Sequence, residues 1–184
     1  MNRIKGYIKE KYGLSNYQVA QLVFVFKTAT SELSKILIMG VLFHNNLKLY
    51  AFLLLIMCSL RTFSGGLHFS TYNRCLLAST IYIGSIIYIF STITLPLYIL
   101  LFLLTHCIIA CYTIGPVLSI YRTNFPIKQL YFCRNITCFI IFIYTIIMYI
   151  IPENSYLVAG FWMIILHSLQ LYVAKIRKKG ESRQ

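Results

Sequence analysis

The sequence predicts an all-α, polytopic integral membrane protein of about six membrane helices, a short first hairpin and then four longer helices, with both termini cytoplasmic. Three observations lead there. Hydrophobic residues make up 59% of the chain and charged residues only 11%, with a mean hydropathy of +0.74, far more apolar than a soluble domain. The apolar residues fall in runs separated by proline. Lys and Arg sit between the runs, nearly all on one side. At roughly 20 residues per span, about six spans leave little of a 184-residue chain for a soluble domain, so residues 1–184 read as one membrane-embedded domain.

Residues 1–32 mix Lys and Arg with Ile, Tyr, Leu, Val and Phe and contain no long uninterrupted apolar run. They read as an amphipathic, interfacial start. The most apolar part comes only after Gln18 and no small-residue cleavage site follows a compact apolar stretch, so a cleaved signal peptide is not expected. Two short runs follow, 36–43 and 49–60, split by "HNNLK". Each falls short of a full span, which makes them a shallow helical hairpin or runs that borrow flanking residues. Residues 76–95, 97–115, 136–151 and 156–174 are stronger segments, punctuated by Pro96, Pro116 and Pro152, which cannot continue a helix. The tail 175–184, "KIRKKGESRQ", is basic and polar.

Six segments with both termini inside put sixteen of the seventeen Lys and Arg on the cytoplasmic side: six in residues 1–35, Arg61 and Arg74, then Arg122, Lys128 and Arg134, and five in the tail. Lys48 alone lies outside. Such a bias is the positive-inside pattern, and it supports a hairpin around "HNN" over one continuous span. The formal charge of +13 flanks apolar runs and does not gather on a soluble module, so anionic membrane lipid is the expected partner and nucleic acid is not.

On the cytoplasmic side of this arrangement lies "RTFSGGLHFSTYNRC", residues 61–75, polar, glycine-containing and supplied with His68 and Cys75. A cysteine is a strong nucleophile only as thiolate, and with a free pKa of about 8.5 it needs a nearby base or positive potential. His68 offers the base. "STYN" offers helix caps, which would seat Cys75 in a first helical turn, and Arg74 adds positive charge. Residues seven apart on a straight helix are separated by about 10.5 Å along the axis, beyond hydrogen-bond reach. A working pair therefore needs the chain to bend between them, and Gly65, Gly66, Ser70, Thr71 and Asn73 are residues that favour a bend. The same pattern also fits a solvated interhelical loop with a packed thiol. The remaining cysteines and histidines carry less: "HCIIAC" (His106, Cys107, Cys111) reads as packing, Cys58, Cys133 and Cys138 as small apolar fillers, His44 as a loop residue and His167 as a packing or cavity residue. No spacing suggests a zinc site, and no cofactor or metal is expected.

"RTFSGGLH", followed six residues later by Cys75, resembles the signature of the AgrB family, the accessory gene regulator B proteins of Gram-positive quorum sensing. Chain length, the basic amphipathic start, the short hairpin and a "GPV" turn at residues 115–117 leading to a basic loop are also similar to that family. The central basic residues depart from it, since Arg122, Lys128 and Arg134 are dispersed where members often carry a tight cluster.

The resemblance implies a multi-pass protein of the bacterial cell membrane and a cysteine endopeptidase with its active site on the cytoplasmic side. Cys75 would attack a peptide bond near the C-terminal side of a pheromone precursor, an AgrD-like peptide with an amphipathic leader and an acidic tail. The tail would leave and the upstream peptide would remain as a thioester, which a cysteine of the peptide would capture as a cyclic thiolactone. His68 would move the proton, and amides near Gly65 and Gly66 or the helix start would hold the oxyanion. Arg61 is a candidate for positioning the loop or a substrate carboxylate, and equally for a topology residue. Asn73 or Glu32 is a candidate for orienting His68, although Glu32 has an alternative partner in Lys35. Arg122, Lys128 and Arg134 are candidate contacts for the acidic tail, and the resemblance implies a homodimer. A small membrane transporter or export component for a peptide is the competing class; its only midplane ionisable groups would be His106 and His167, neither with an acidic neighbour.

Overall fold

A computed structural model describes residue 13 and residues 15–67, 71–117 and 126–181. His68, Arg122 and most of the basic start lie outside the described residues. Those described form six α-helices: α1 (Asn16–Leu42), α2 (Leu47–Ser64), α3 (Tyr72–Tyr88), α4 (Leu97–Ile114), α5 (Ile127–Ile150) and α6 (Ser155–Glu181), with short 3-10 turns at His44–Asn46 and Phe90–Thr92. Five segments, one on each of α2 to α6, are long and apolar enough to cross a membrane, which makes this a multi-pass membrane protein. The chain divides into two compact units, residues 1–44 and 45–184.

In the first unit, α1 begins at a capping box. The Ser15 hydroxyl accepts from the Gln18 amide at 3.2 Å, and the Ser15 amide donates to Gln18 Oε1 at 2.9 Å, so two otherwise orphaned groups satisfy each other. The helix then runs for 27 residues, much further than the apolar stretch 36–43 indicates. Polar residues interrupt the apolar pattern but do not interrupt the helix: Thr28 and Thr30 return their hydroxyls to the carbonyls of Phe24 and Phe26 at 2.9 and 2.8 Å, and Glu32 pairs with Lys35. Phe24, Val25 and Phe26 are all largely exposed, and at about 100° per residue they point to three different sides of the helix. No single buried stripe runs through this part of α1. The two short runs belong to two longer helices joined in sequence through the 3-10 turn, and α2 reaches spanning length by borrowing residues on both sides of 49–60, the second of the two expectations.

In the second unit α6 is the central element. Of its membrane-length window 61% is buried, against 28% or less for each of the others. Its start is fixed by Asn154, whose side-chain oxygen accepts from the Tyr156 amide at 2.9 Å. The core joins Leu60 of α2, Leu100, Leu104, Cys107 and Cys111 of α4, and Ile141, Tyr144 and Met148 of α5 to Leu157, Phe161, Ile164 and Leu171 of α6. Polar tethers fix its neighbours in register. Tyr82 of α3 donates to the Met163 carbonyl at 3.0 Å, Trp162 donates to the Ile93 carbonyl at 3.3 Å, and Tyr144 of α5 donates to the Leu157 carbonyl.

Pro96 and Pro126 stand immediately before α4 and α5, and each carbonyl accepts the first helical amides, from Ile99 and from Gln129. Both prolines thus start helices at a place where a missing N–H costs nothing. Cys107 and Cys111 are core packing residues, as their setting in the sequence indicates, whereas His106 is exposed.

At Gly160 of α6, side chains of α2 and α5 come close to the helix axis. A side chain there would run into the Tyr144 hydroxyl, Ile56 and Phe52. Gly160→Val is expected to cost about 1–3 kcal/mol by overpacking, read as a lower midpoint of unfolding in detergent, while Gly160→Ala should be milder.

Candidate active site

The helix carrying Arg61 stops where its sequence turns to glycine. Ser64 is the last residue of α2, and Gly65 follows at φ 75°, a backbone conformation that L side chains rarely adopt. A second constraint acts on the same residue. The Val117 amide donates to the Ser64 carbonyl at 2.9 Å, Gly65 and Val117 form an isolated parallel bridge, and a Cβ on Gly65 would collide with the Val117 carbonyl. Gly65 is thus needed for close approach as well as for its turn, and the "GPV" segment after α4 is the chain that approaches it. Gly66 is buried, at φ 154°.

Arg61 reaches along this turn, and its Nη2 donates to the Leu67 carbonyl at 2.8 Å. The last described residue before His68 is thereby tied to the preceding helix. On the far side, Thr71 is extended at the N-cap of α3, and the Cys75 amide donates to the Thr71 carbonyl at 3.2 Å. Cys75 therefore sits in the first turn of α3, half-buried, near the positive end of the helix dipole. The helix is broken between Ser64 and Tyr72, so no straight helix runs from the first glycine to the cysteine.

A cavity of about 380 Å³ opens beside Cys75. Along α3 it is lined by Cys75, Ser79 and Tyr82, which at spacings of four and three share one helical face. Arg61 and Leu67 line it from the α2 side and His167 and Gln170 from α6. Apolar residues such as Met57, Ile81 and Leu166 complete the wall. The arrangement presents a thiol at a helix start, a guanidinium and an imidazole to a space within a membrane bundle.

Of the residues singled out in the sequence, Arg61, Gly65, Gly66 and Cys75 are brought together here. Asn73 is exposed in the same first turn as Cys75. Glu32 belongs to the first unit, where it pairs with Lys35. Lys128 is exposed in the first turn of α5, and Arg134, six residues on, lies across two tyrosine rings, 4.2 Å from the centre of Tyr112 and 4.6 Å from that of Tyr131. Neither is among the residues that line the cavity. Among the described residues no three His, Cys, Asp or Glu converge to hold a metal.

Three participants had no signal in the sequence that tied them to this turn. Val117 supplies the bridging partner for the turn. Ser64 and His167 meet 103 positions apart, Ser64 Oγ lying 2.6 Å from His167 Nε2, with both residues buried. The nearest hint was chemical, since an ionisable residue inside an apolar span marks a functional site by default.

The family model for accessory gene regulator B matches residues 1–171. No curated protein and no solved structure matches the chain. With that match covering all six helices up to Leu171, together with several apolar membrane-length helices and a cysteine-bearing cavity, the chain belongs to the accessory gene regulator B family, whose members take part in processing quorum-sensing peptides.

Proposed function

We propose that this protein is a membrane cysteine endopeptidase that cleaves a pheromone precursor peptide and promotes its cyclisation to a thiolactone. The observation that carries the reading is the position of Cys75: in the first turn of α3, beside a cavity shared with Arg61, and preceded by a glycine turn that interrupts the helix. A thiolate there gains from the helix dipole and from nearby positive charge.

In the first step His68 removes the Cys75 proton, and the thiolate attacks the carbonyl carbon of the scissile peptide bond. The tetrahedral oxyanion is held by amides of the first turn of α3 or of the glycine turn. On collapse the C–N bond breaks, and the leaving amine of the C-terminal tail takes the proton from His68. The acyl part remains as a thioester on Cys75. In the second step a cysteine thiol of the same peptide attacks that thioester, the new C–S bond forms as the bond to Cys75 breaks, and the proton returns to Cys75. One thioester is exchanged for another, so no external energy source is needed. Water must be excluded, because hydrolysis would end the reaction with a linear acid.

Arg61 holds the turn through Leu67 and faces the cavity, which suits it to position both the loop and a substrate carboxylate. The acidic tail of the substrate is attracted to the basic side of the protein, with Arg122, Lys128 and Arg134 as contacts and anionic lipid as a competing partner. The tyrosines beneath Arg134 support its guanidinium in one orientation. This reading places the 61–75 segment and both termini in the cytoplasm, which requires α1 to cross as well, and assembles the protein as a homodimer.

The test is reconstitution with an acidic-tailed precursor containing one internal cysteine. Wild type should release the tail and accumulate a hydroxylamine-sensitive acyl-enzyme, whereas Cys75→Ser and His68→Ala should each lose at least about a thousandfold in tail release. Normal processing by both variants would overturn the reading. Gly65→Ala places a Cβ against the Val117 carbonyl at a positive φ; strain of about 1–3 kcal/mol should appear as a slower acyl-enzyme step in protein that still inserts in the membrane.

A further inference from the structure

Most serine and threonine hydroxyls in these helices satisfy themselves by donating to the carbonyl one turn back, as Ser59, Thr62, Thr105 and Thr145 do. Ser64 does the same, donating to the Leu60 carbonyl at 2.7 Å. Its single proton is then committed, so toward His167 its oxygen acts as acceptor. In the tautomer that matches, the imidazole carries its proton on Nε2 and donates across the 2.6 Å contact. Ser64 has no need of His167, but His167 needs Ser64. A buried imidazole inside an apolar bundle is costly without a partner, and an apolar residue at 167 would pack at lower cost. The structure thus contains a buried polar contact that its serine does not require.

What that contact holds is visible in the chain around Ser64. The Ser64 side chain is fixed to α6 by His167, and its carbonyl is fixed to Val117. Arg61, three residues earlier, fixes the Leu67 carbonyl. The turn of residues 65–67 is therefore pinned at its start by α6 and the segment after α4, and at its end by α2. His167 also lines the cavity beside Cys75. We propose that His167 is a positioning residue for the Cys75 reaction: through its hydrogen bond to Ser64 it fixes the glycine turn relative to α6, and so fixes the chain leading into His68 relative to the cavity wall.

This inference rests on the cysteine endopeptidase reading, and its test keeps the two apart. The rate of Cys75 acylation at saturating precursor, the KM for precursor and the midpoint of unfolding in detergent would be measured for His167→Leu, Ser64→Ala, the double variant and His167→Gln, with Cys75→Ser and His68→Ala as controls. Misplacing a reacting group by about an ångström costs on the order of a hundredfold, so His167→Leu and Ser64→Ala should each slow acylation by about ten- to a hundredfold with KM changed by less than about threefold. Because both remove one contact, the double variant should be no slower than the slower single variant. Glutamine can present an N–H near the position of Nε2, so His167→Gln should recover most of the rate. Rates at the wild-type level in His167→Leu and Ser64→Ala, losses that multiply in the double variant, or no rescue by glutamine would each overturn the inference while inactive controls leave the parent reading intact. Active controls would instead overturn the parent reading. If His167→Leu does not fold, Ser64→Ala and His167→Gln decide the matter alone, because each keeps α6 filled.

Discussion

Inside lipid no hydrophobic force favours one helix against another, so the fold depends on how α6 is held in its place among α2, α3, α4 and α5. Close packing and buried polar contacts must do this. Gly160 lets Tyr144, Ile56 and Phe52 close on the helix axis. The Tyr82, Trp162 and Tyr144 hydrogen bonds attach neighbouring chain to α6 at residues 163, 162 and 157, and the Ser64 contact does so at 167. Each such bond contributes only about 0.6–2 kcal/mol. Set at different heights and on different faces, they fix rotation and register, which apolar surface alone leaves loose.

The candidate site depends on that register. Non-helical backbone between membrane helices persists where its polar groups find partners in the protein or in water. Here the Ser64 carbonyl at the end of α2 takes the Val117 amide from the chain after α4, and the Leu67 carbonyl of the turn takes the Arg61 guanidinium of α2. Glycine at 65 is the condition for this closure, because any side chain would occupy the space of the Val117 carbonyl. The Cys75 helix then starts as an independent element, with its first turn opening onto the cavity. The break in the chain is thus a packed junction between the ends of α2 and α4.

The parts of this structure legible in the sequence are those with local causes. Pro96 starts α4, and "STYN" places the start of α3 close enough to seat Cys75 in its first turn, whereas α5 starts at Ile127, nine residues before the apolar run at 136. The length of α1 was not legible, because Thr28, Thr30, Glu32 and Lys35 break the apolar pattern by which a span is recognised, yet satisfy their polar groups within the helix. The Gly65 junction was half legible: two adjacent glycines signal a turn, but nothing near them names Val117, which lies more than fifty positions away. His167 shows the same limit more sharply. A lone histidine on an apolar helix has no periodicity or spacing that distinguishes a packing role from a site role, and only its contact with Ser64 and its place on the cavity wall do so.

The two proposed steps place opposite demands on one cavity. Cleavage needs charge to develop on an oxyanion and on an imidazole, which favours polar groups near Cys75. Cyclisation needs a thioester to outlast water until the peptide thiol arrives, which favours an apolar enclosure. The observed lining mixes the two kinds, with polar residues such as Arg61, Ser79, Tyr82, Ser85, His167 and Gln170 among apolar ones such as Met57, Ile81 and Leu166. Polar groups that are already bonded, as Arg61 is to Leu67, Tyr82 to Met163 and His167 to Ser64, have less capacity left to order a hydrolytic water. On this view the same hydrogen bonds that set helix register also keep the polar side of the cavity from acting as a water site, so a contact that looks purely structural bears directly on which of two products leaves the enzyme.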